Sequence, residues 1–147
     1  SKNKYWTKVV ENATVIKFPD NIIEEYVNAY VDYYSQLSSL YGITLEEFLG
    51  CKVDEFKALQ TKEAEAMYKD QMVLYAVMYA EKYDSTIVES EYEAWLDNLA
   101  KHLDATVEDL IHEYGEESLR NTYIYEKFVD YLYETRVEVE PSPETSK

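Results

Sequence analysis

The groups in this chain that could do covalent or metal chemistry are few. The histidines are His102 and His112, and the single cysteine is Cys51. Two histidines ten residues apart on two separate expected helices could join a metal site only with carboxylate help. Carboxylates recur along the whole chain and therefore mark no site. No metal site is expected, and both histidines read as surface residues. Cys51 has only Lys52 beside it to favour a thiolate, and one cysteine permits no intrachain disulfide. Acidic pairs such as Glu46/Glu47, Asp104/Glu108 and Glu116/Glu117 stand where helices should start. Carboxylates there complement the helix dipole, which accounts for them before acid–base catalysis does. No glycine-rich phosphate loop, nucleophile elbow, zinc pattern or calcium loop is present. These residues predict no catalytic centre and no cofactor, so the chain is not expected to be an enzyme.

The chemistry that remains is that of a surface. Sixteen of the 147 residues are tyrosine, and they recur at helical spacings. Tyrosine combines a large apolar body with a polar tip, which suits surfaces that are alternately wet and covered. Met67, Met72 and Met78 add flexible side chains of the kind found on adaptable binding surfaces. For any single ring the simpler reading is helix-packing core. Sixteen are too many for one compact bundle to hide, so some should be exposed.

The elements that must position these side chains are helical. Only three Gly and three Pro occur, which leaves few breakers. A short amphipathic helix is predicted over 4–12, followed by a β-prone stretch at 13–18 that ends at Pro19. A long helix is predicted over 20–41, with Ile22, Ile23, Tyr26, Val27, Tyr30, Tyr34, Leu37 and Tyr41 in one stripe. Pro19 should open it and Gly42 should end it. Thr44 and Glu47 predict a capping box and a short helix that Gly50 closes. A very long helix should follow over 53–83. Its first half is polar and its second apolar, as if one end projected and the other packed. Further helices are predicted over 90–103, from Thr106/Asp109 to Gly115, and over 116–135. Residues 136–140 alternate and could pair as a strand with 14–18. The last residues, 138–147, read as a disordered tail.

Composition limits the partners. Thirty Asp and Glu stand against fourteen Lys and Arg, for a formal net charge of −16. Such a chain repels nucleic acid and anionic membranes, and attracts basic partners or simply stays soluble. No apolar run is long enough to span a membrane, and no signal peptide is visible. A cytoplasmic setting is expected. The chain starts at Ser1 rather than Met, which suggests a piece of a longer protein.

The order of motifs carries a family resemblance. Phe18-Pro19 precedes Ile22-Ile23 and a long helix, and Tyr-Gly-Ile-Thr-Leu-Glu-Glu-Phe-Leu follows at 41–49. Ala-Glu-Ala (64–66) and Leu-Tyr-Ala (74–76) lie on the next long helix. Val-Glu-Ser-Glu-Tyr-Glu (88–93), Glu-Tyr-Gly-Glu-Glu-Ser-Leu-Arg (113–120) and Glu-Lys-Phe-Val-Asp-Tyr-Leu (126–132) complete the series. Each is mostly helix caps and faces, so specificity lies in their order and spacing over about residues 5–137. The series resembles the C-terminal domain of bacterial trigger factor, the ribosome-associated chaperone, especially versions from Gram-positive anaerobes.

That resemblance implies an all-α, elongated domain over 1–137 with helical-hairpin arms, an architecture shared with the periplasmic chaperone SurA. It implies a cradle that holds unfolded or nascent polypeptide without ATP. The expected client-contact residues are Tyr30, Tyr34, Met67, Met72, Tyr75, Tyr79, Tyr123 and Tyr131, offering shallow apolar contact within an acidic rim that favours basic clients. Rings on 20–41 and 116–135 should mainly hold the body together, and those on the long helix should meet clients. The family's prolyl isomerase domain and basic ribosome-docking loop are not among these residues. Isomerase chemistry is therefore not carried over, and the ribosome is expected as a partner only through a domain absent here. The alternative is a specific helical interaction module, or a homodimer formed through one tyrosine face.

Overall fold

In a computed structural model, residues 1–15 and 17–139 are described. Among them there are seven helices and no strand: α1 (Lys2–Asn12), α2 (Ile22–Leu40), α3 (Leu45–Leu49), α4 (Val53–Ala80), α5 (Glu89–His102), α6 (Val107–Tyr114) and α7 (Glu116–Val139). The protein is all-α, and its helices form two compact units. The first takes Ser1–Val9 and the chain from Val77 onward; the second is Val10–Ala76. The expected helical domain over 1–137 is thus built of two parts, and both α1 and α4 cross the division.

The helix ends show which local signals mattered. Thr106 and Asp109 form a complete capping box. The Asp109 amide donates to Thr106 Oγ1 at 3.1 Å, and the Thr106 amide donates to Asp109 Oδ2 at 3.2 Å. At α3 the Thr44 hydroxyl accepts from the Glu47 amide at 3.1 Å. Three helices end on the same device, a left-handed residue followed by an amide that bonds back five residues. Ile43 reaches the Ser38 carbonyl, Tyr83 reaches Met78, and Ala105 reaches Ala100. Gly42 holds the left-handed position after α2 at φ 67°, but Lys82 and Asp104 hold it after α4 and α5 at φ 50° and 53°. The long helix therefore stops at Ala80, not 83, with no glycine to announce it.

Two expectations about the chain's ends are corrected. Residues 136–139 are not a strand: they extend α7 to Val139. A helix already formed adds residues at little cost, and no breaker occurs before Pro141. With that partner gone, residues 13–15, 17 and 18 form no strand either. Residues 138 and 139, expected in the disordered tail, belong to α7; residue 16 and residues 140–147 lie outside the described residues. Pro19 is also not in the first helical turn. It opens a turn in which the Ile22 amide bonds the Pro19 carbonyl at 3.3 Å, and Asn21 sits left-handed at φ 64° before α2 begins.

The core of the first unit is the better filled. Tyr92, Leu96 and Ala100 of α5, Leu110 of α6, and Leu119 and Tyr123 of α7 form one buried cluster, with Trp95, Leu99, Ile87 and Val107 packed at its edge. Phe128 is fully buried further along α7, with Val129 and Leu132, and Trp6 of α1 is buried in the same unit. In the second unit the buried apolar set is smaller: Val27 of α2, and Phe56, Ala64, Val73 and Leu74 of α4. The polar first half of α4 is therefore packed rather than bare, because Phe56 and Tyr68 meet rings of α2.

Candidate functional site

In the second unit the tyrosines of α2 form a continuous path of rings. Tyr26 lies 4.9 Å from Tyr30, centroid to centroid, and Tyr30 lies 6.3 Å from Tyr34. Tyr34 is the junction: it meets Tyr33 at 5.3 Å, Phe48 of α3 at 6.0 Å and Phe56 of α4 at 5.6 Å. Phe48 continues to Tyr41 at 6.0 Å, and Tyr26 reaches Tyr68 of α4 at 6.2 Å. The helical repeat sets this up, since residues three and four apart share a face. The α2–α3 turn then folds Phe48 back onto it. The inner rings are half-buried, whereas Tyr30, Tyr33 and Tyr41 are open, the last two at 55% and 71% exposure. Leu40 and Ile43 extend the open apolar area around the turn.

The stretch of sequence that carries most of this path is one-sided in charge. Between Phe18 and Cys51 there is no Lys or Arg, while Asp20, Glu24, Glu25, Asp32, Glu46 and Glu47 all lie there. The Tyr26 hydroxyl is pushed up to about 12, first by its hydrogen bond with Tyr30 and then by burial. That hydroxyl therefore stays neutral well into alkaline conditions.

In the first unit the rings are tied to charges. The Arg120 guanidinium makes a two-pronged pair with Glu89, at 2.8 and 3.0 Å, and its Nε donates to Glu116 at 3.0 Å. It lies 4.4 Å over the Tyr92 ring, whose hydroxyl donates to Glu116 at 3.3 Å. Trp95 donates its indole N–H to Glu126 at 2.7 Å. Lys127 pairs with Glu91 at 3.1 Å and stands 5.6 Å from the Tyr123 ring centroid. Arg136 lies over both Tyr5 and Tyr133. The bond to Arg120 holds the Glu89 carboxyl below its ordinary range, and burial raises the Tyr92 and Tyr83 hydroxyls.

The eight expected contact residues consequently have different fates. Tyr30 and Tyr34 belong to the ring path of the second unit. Met67 is open on α4, and Met72 is half-buried beside Phe18, Pro19 and the Lys17–Asp20 ion pair. Tyr75 and Tyr79 are the most open of the set, at 63% and 88% exposure, and no ring contact involves either among the described residues. Tyr131 is partly open and packs at 5.1 Å on Tyr83. Tyr123 is a core residue, 5% exposed, beneath Tyr92 and Trp95. It cannot offer a surface, because its ring fills the space between α5 and α7. The residue reading missed Tyr33, Leu40, Tyr41, Ile43 and Phe48. The available signal was the apolar run Leu40-Tyr41-Gly42-Ile43, which continues through a turn where polar residues are usual.

Among the described residues no three His, Cys, Asp or Glu side chains converge as metal ligands. No helix there is long and apolar enough to cross a membrane. What the two units offer is an all-helical scaffold rich in accessible aromatic, aliphatic and acidic groups. The model of the bacterial trigger factor C-terminus matches residues 1–134, and the chain belongs to that family, which is of a chaperone type. The match is to the chaperone C-terminal part and not to the prolyl isomerase domain. Trigger factors of Caldicellulosiruptor bescii and Caldicellulosiruptor saccharolyticus are 29% and 28% identical over 133 and 131 residues, or 86% and 85% of this chain. That of Latilactobacillus sakei is 27% identical over 135 residues, 90% of the chain. The chain spans about 30% of the length of these relatives. No solved structure matches.

Proposed function

We propose that this chain holds non-native polypeptide without ATP, as the client-binding part of a cytoplasmic chaperone. The observation that supports the reading most directly is the open ring path of the second unit. Tyr30, Tyr33 and Tyr41 stand exposed beside an apolar turn, in a stretch of sequence with acids and no cations. Rings with hydroxyl tips give apolar area without demanding one partner shape, and their hydroxyls can bond an exposed client backbone. Acids around them favour clients rich in Lys and Arg, which can pair with carboxylates and lie over the rings. Each contact is weak, so retention comes from several patches engaging one flexible chain.

The test is suppression of aggregation. At near-equimolar ratio the chain should keep an unfolded protein in solution and should bind an apolar dye. The triple variant Tyr30→Ser, Tyr33→Ser, Tyr41→Ser should lose about half or more of that capacity, as expected when exposed anchors dominate contact. Its helical circular dichroism should be unchanged. Wild-type chain that neither suppresses aggregation nor binds the dye sinks the proposal.

A further inference from the structure

A second surface of the Val10–Ala76 unit has the opposite character. Ala13, Thr14, Val15 and Phe18 run beside one face of α4, where Lys62, Glu65, Ala66 and Lys69 recur at three and four. Together they line a shallow, open groove of about 420 Å³. Its floor is apolar, from Ala13, Val15, Phe18 and Ala66. Two of the unit's five cations stand along it, at Lys62 and Lys69. Neither makes an ion pair among the described residues, although the unit carries twelve acids. By contrast, Lys17, just before Phe18, is paired with Asp20 at 3.0 Å.

We propose that this groove takes an extended polypeptide segment in which an apolar residue is flanked, on the same face, by two acidic ones. The spacing supports the choice. Lys62 and Lys69 are seven residues apart, about 10 Å along the helix axis. Side chains on one face of an extended chain recur every second residue, and four residues of such chain cover about 13 Å, a span that two flexible lysine side chains can meet. A segment with acids at its first and fifth residues and an apolar residue at its third therefore sets both carboxylates near the two ammonium groups and the apolar side chain over Phe18 and Ala66. Glu65 lies between the lysines on the same face and opposes a carboxylate in the middle, so the pattern has a defined order. The ligand class rests on the holding reading above, but the groove differs in residues and sign from the ring path. One unit then carries a surface for basic segments and another for acidic ones, which suits a protein that meets many sequences.

The experiment measures fluorescence anisotropy of labelled peptides on the full chain at low salt. The peptides are Glu-Ser-Leu-Ser-Glu within a neutral flank and its Gln-Ser-Leu-Ser-Gln analogue. The Glu peptide should bind about five- to tenfold more tightly than the Gln peptide, the range expected of two exposed ion pairs acting together. That advantage should shrink as salt is added. It should vanish in the Lys62→Glu, Lys69→Glu double variant, both positions lying on the outer face of a helix, with circular dichroism confirming an intact fold. Phe18→Ala should weaken the Glu and Gln peptides equally. Equal affinity for the Glu and Gln peptides, or a preference that survives the double reversal, overturns the groove assignment even if aggregation is still suppressed. Intact discrimination in a chain that holds no unfolded protein leaves the groove and removes the holding function.

Discussion

The two units solve the problem of many tyrosines differently. Around Tyr92 and Tyr123, rings lie beside a guanidinium or ammonium group that a carboxylate holds in turn, and Arg136 lies over Tyr5 and Tyr133. The partners come from helices distant in sequence: Arg120 and Glu89 are thirty-one residues apart. Around Tyr26, Tyr30 and Tyr34 the rings meet mainly one another, and most of the contacts are made within α2 or to the neighbouring α3. Charge-tied rings are fixed in number and direction. Rings that stack only on each other leave faces open, and an added aromatic or apolar side chain can extend the stack. The same residue type is thus a structural staple in one unit and an available surface in the other.

The largest test of this contrast is at Phe128, fully buried in the first unit. Phe128→Ala should cost about 3–5 kcal/mol, read as a large fall in the urea midpoint. Should the loss be small, the first unit is not the tightly packed one. Next is Arg120. Arg120→Met removes two carboxylate partners and the guanidinium over Tyr92, and should lower the melting temperature measurably but less than Phe128→Ala. Arg120→Lys should fall between, because an ammonium cannot make the two-pronged pair. A variant as stable as wild type means the staple is ornamental.

Acid separates the units. Glu89 is held low by Arg120, and Asp84 by its bonds to Thr86. A carboxyl with a lowered folded-state value contributes stability that is present above its unfolded value near 4. That contribution is lost as pH falls through the folded value. Melting between pH 5 and 2 should therefore weaken wild type more than Arg120→Met, which has already lost the Glu89 bond. Alkali acts on both units, since Tyr83 and Tyr92 are raised as well as Tyr26. A raised tyrosine stabilises fully below about pH 10 and ceases to as pH passes its folded value. In a tyrosinate absorbance titration, Tyr26→Phe should remove a late component near 12.

Smaller effects belong to the caps. Thr106→Ala removes the hydroxyl half of a capping box, and Thr44→Ala removes the equivalent bond at α3; each should cost about 1 kcal/mol. The smallest stability change is expected where function is proposed. Tyr33→Ser and Tyr41→Ser should each shift stability by about 0.5 kcal/mol or less while reducing capture of unfolded protein. A strong destabilisation there would make the ring path a core like that of the first unit.

Much of the fold was legible because its signals are local. Thr106 with Asp109, Gly42, Gly50 and the stripe of α2 each act within a turn or two of chain. The errors fell where a local signal was absent or overruled. Lys82 ends α4 in a left-handed conformation that glycine usually marks, and the alternation at 136–140 yielded to a helix already running. The ring surface was legible only in part. Tyr30 and Tyr34 were expected at a surface, but Tyr41 was read as part of the helix stripe and Ile43 only as part of a motif, so neither was placed there.

By itself the sequence determined that the chain is helical, acidic, rich in tyrosine at helical spacing, and similar in motif order to one family. Those properties depend on neighbours three or four residues away and on composition, which are present in the linear chain. Tertiary structure alone decided which rings are covered. Tyr75 and Tyr123 look alike in sequence, each among apolar residues on a long helix, yet one is open and the other lies beneath Tyr92 and Trp95. Periodicity defines a face, but what covers that face comes from another helix, and no residue beside a tyrosine in the chain records which helix that is.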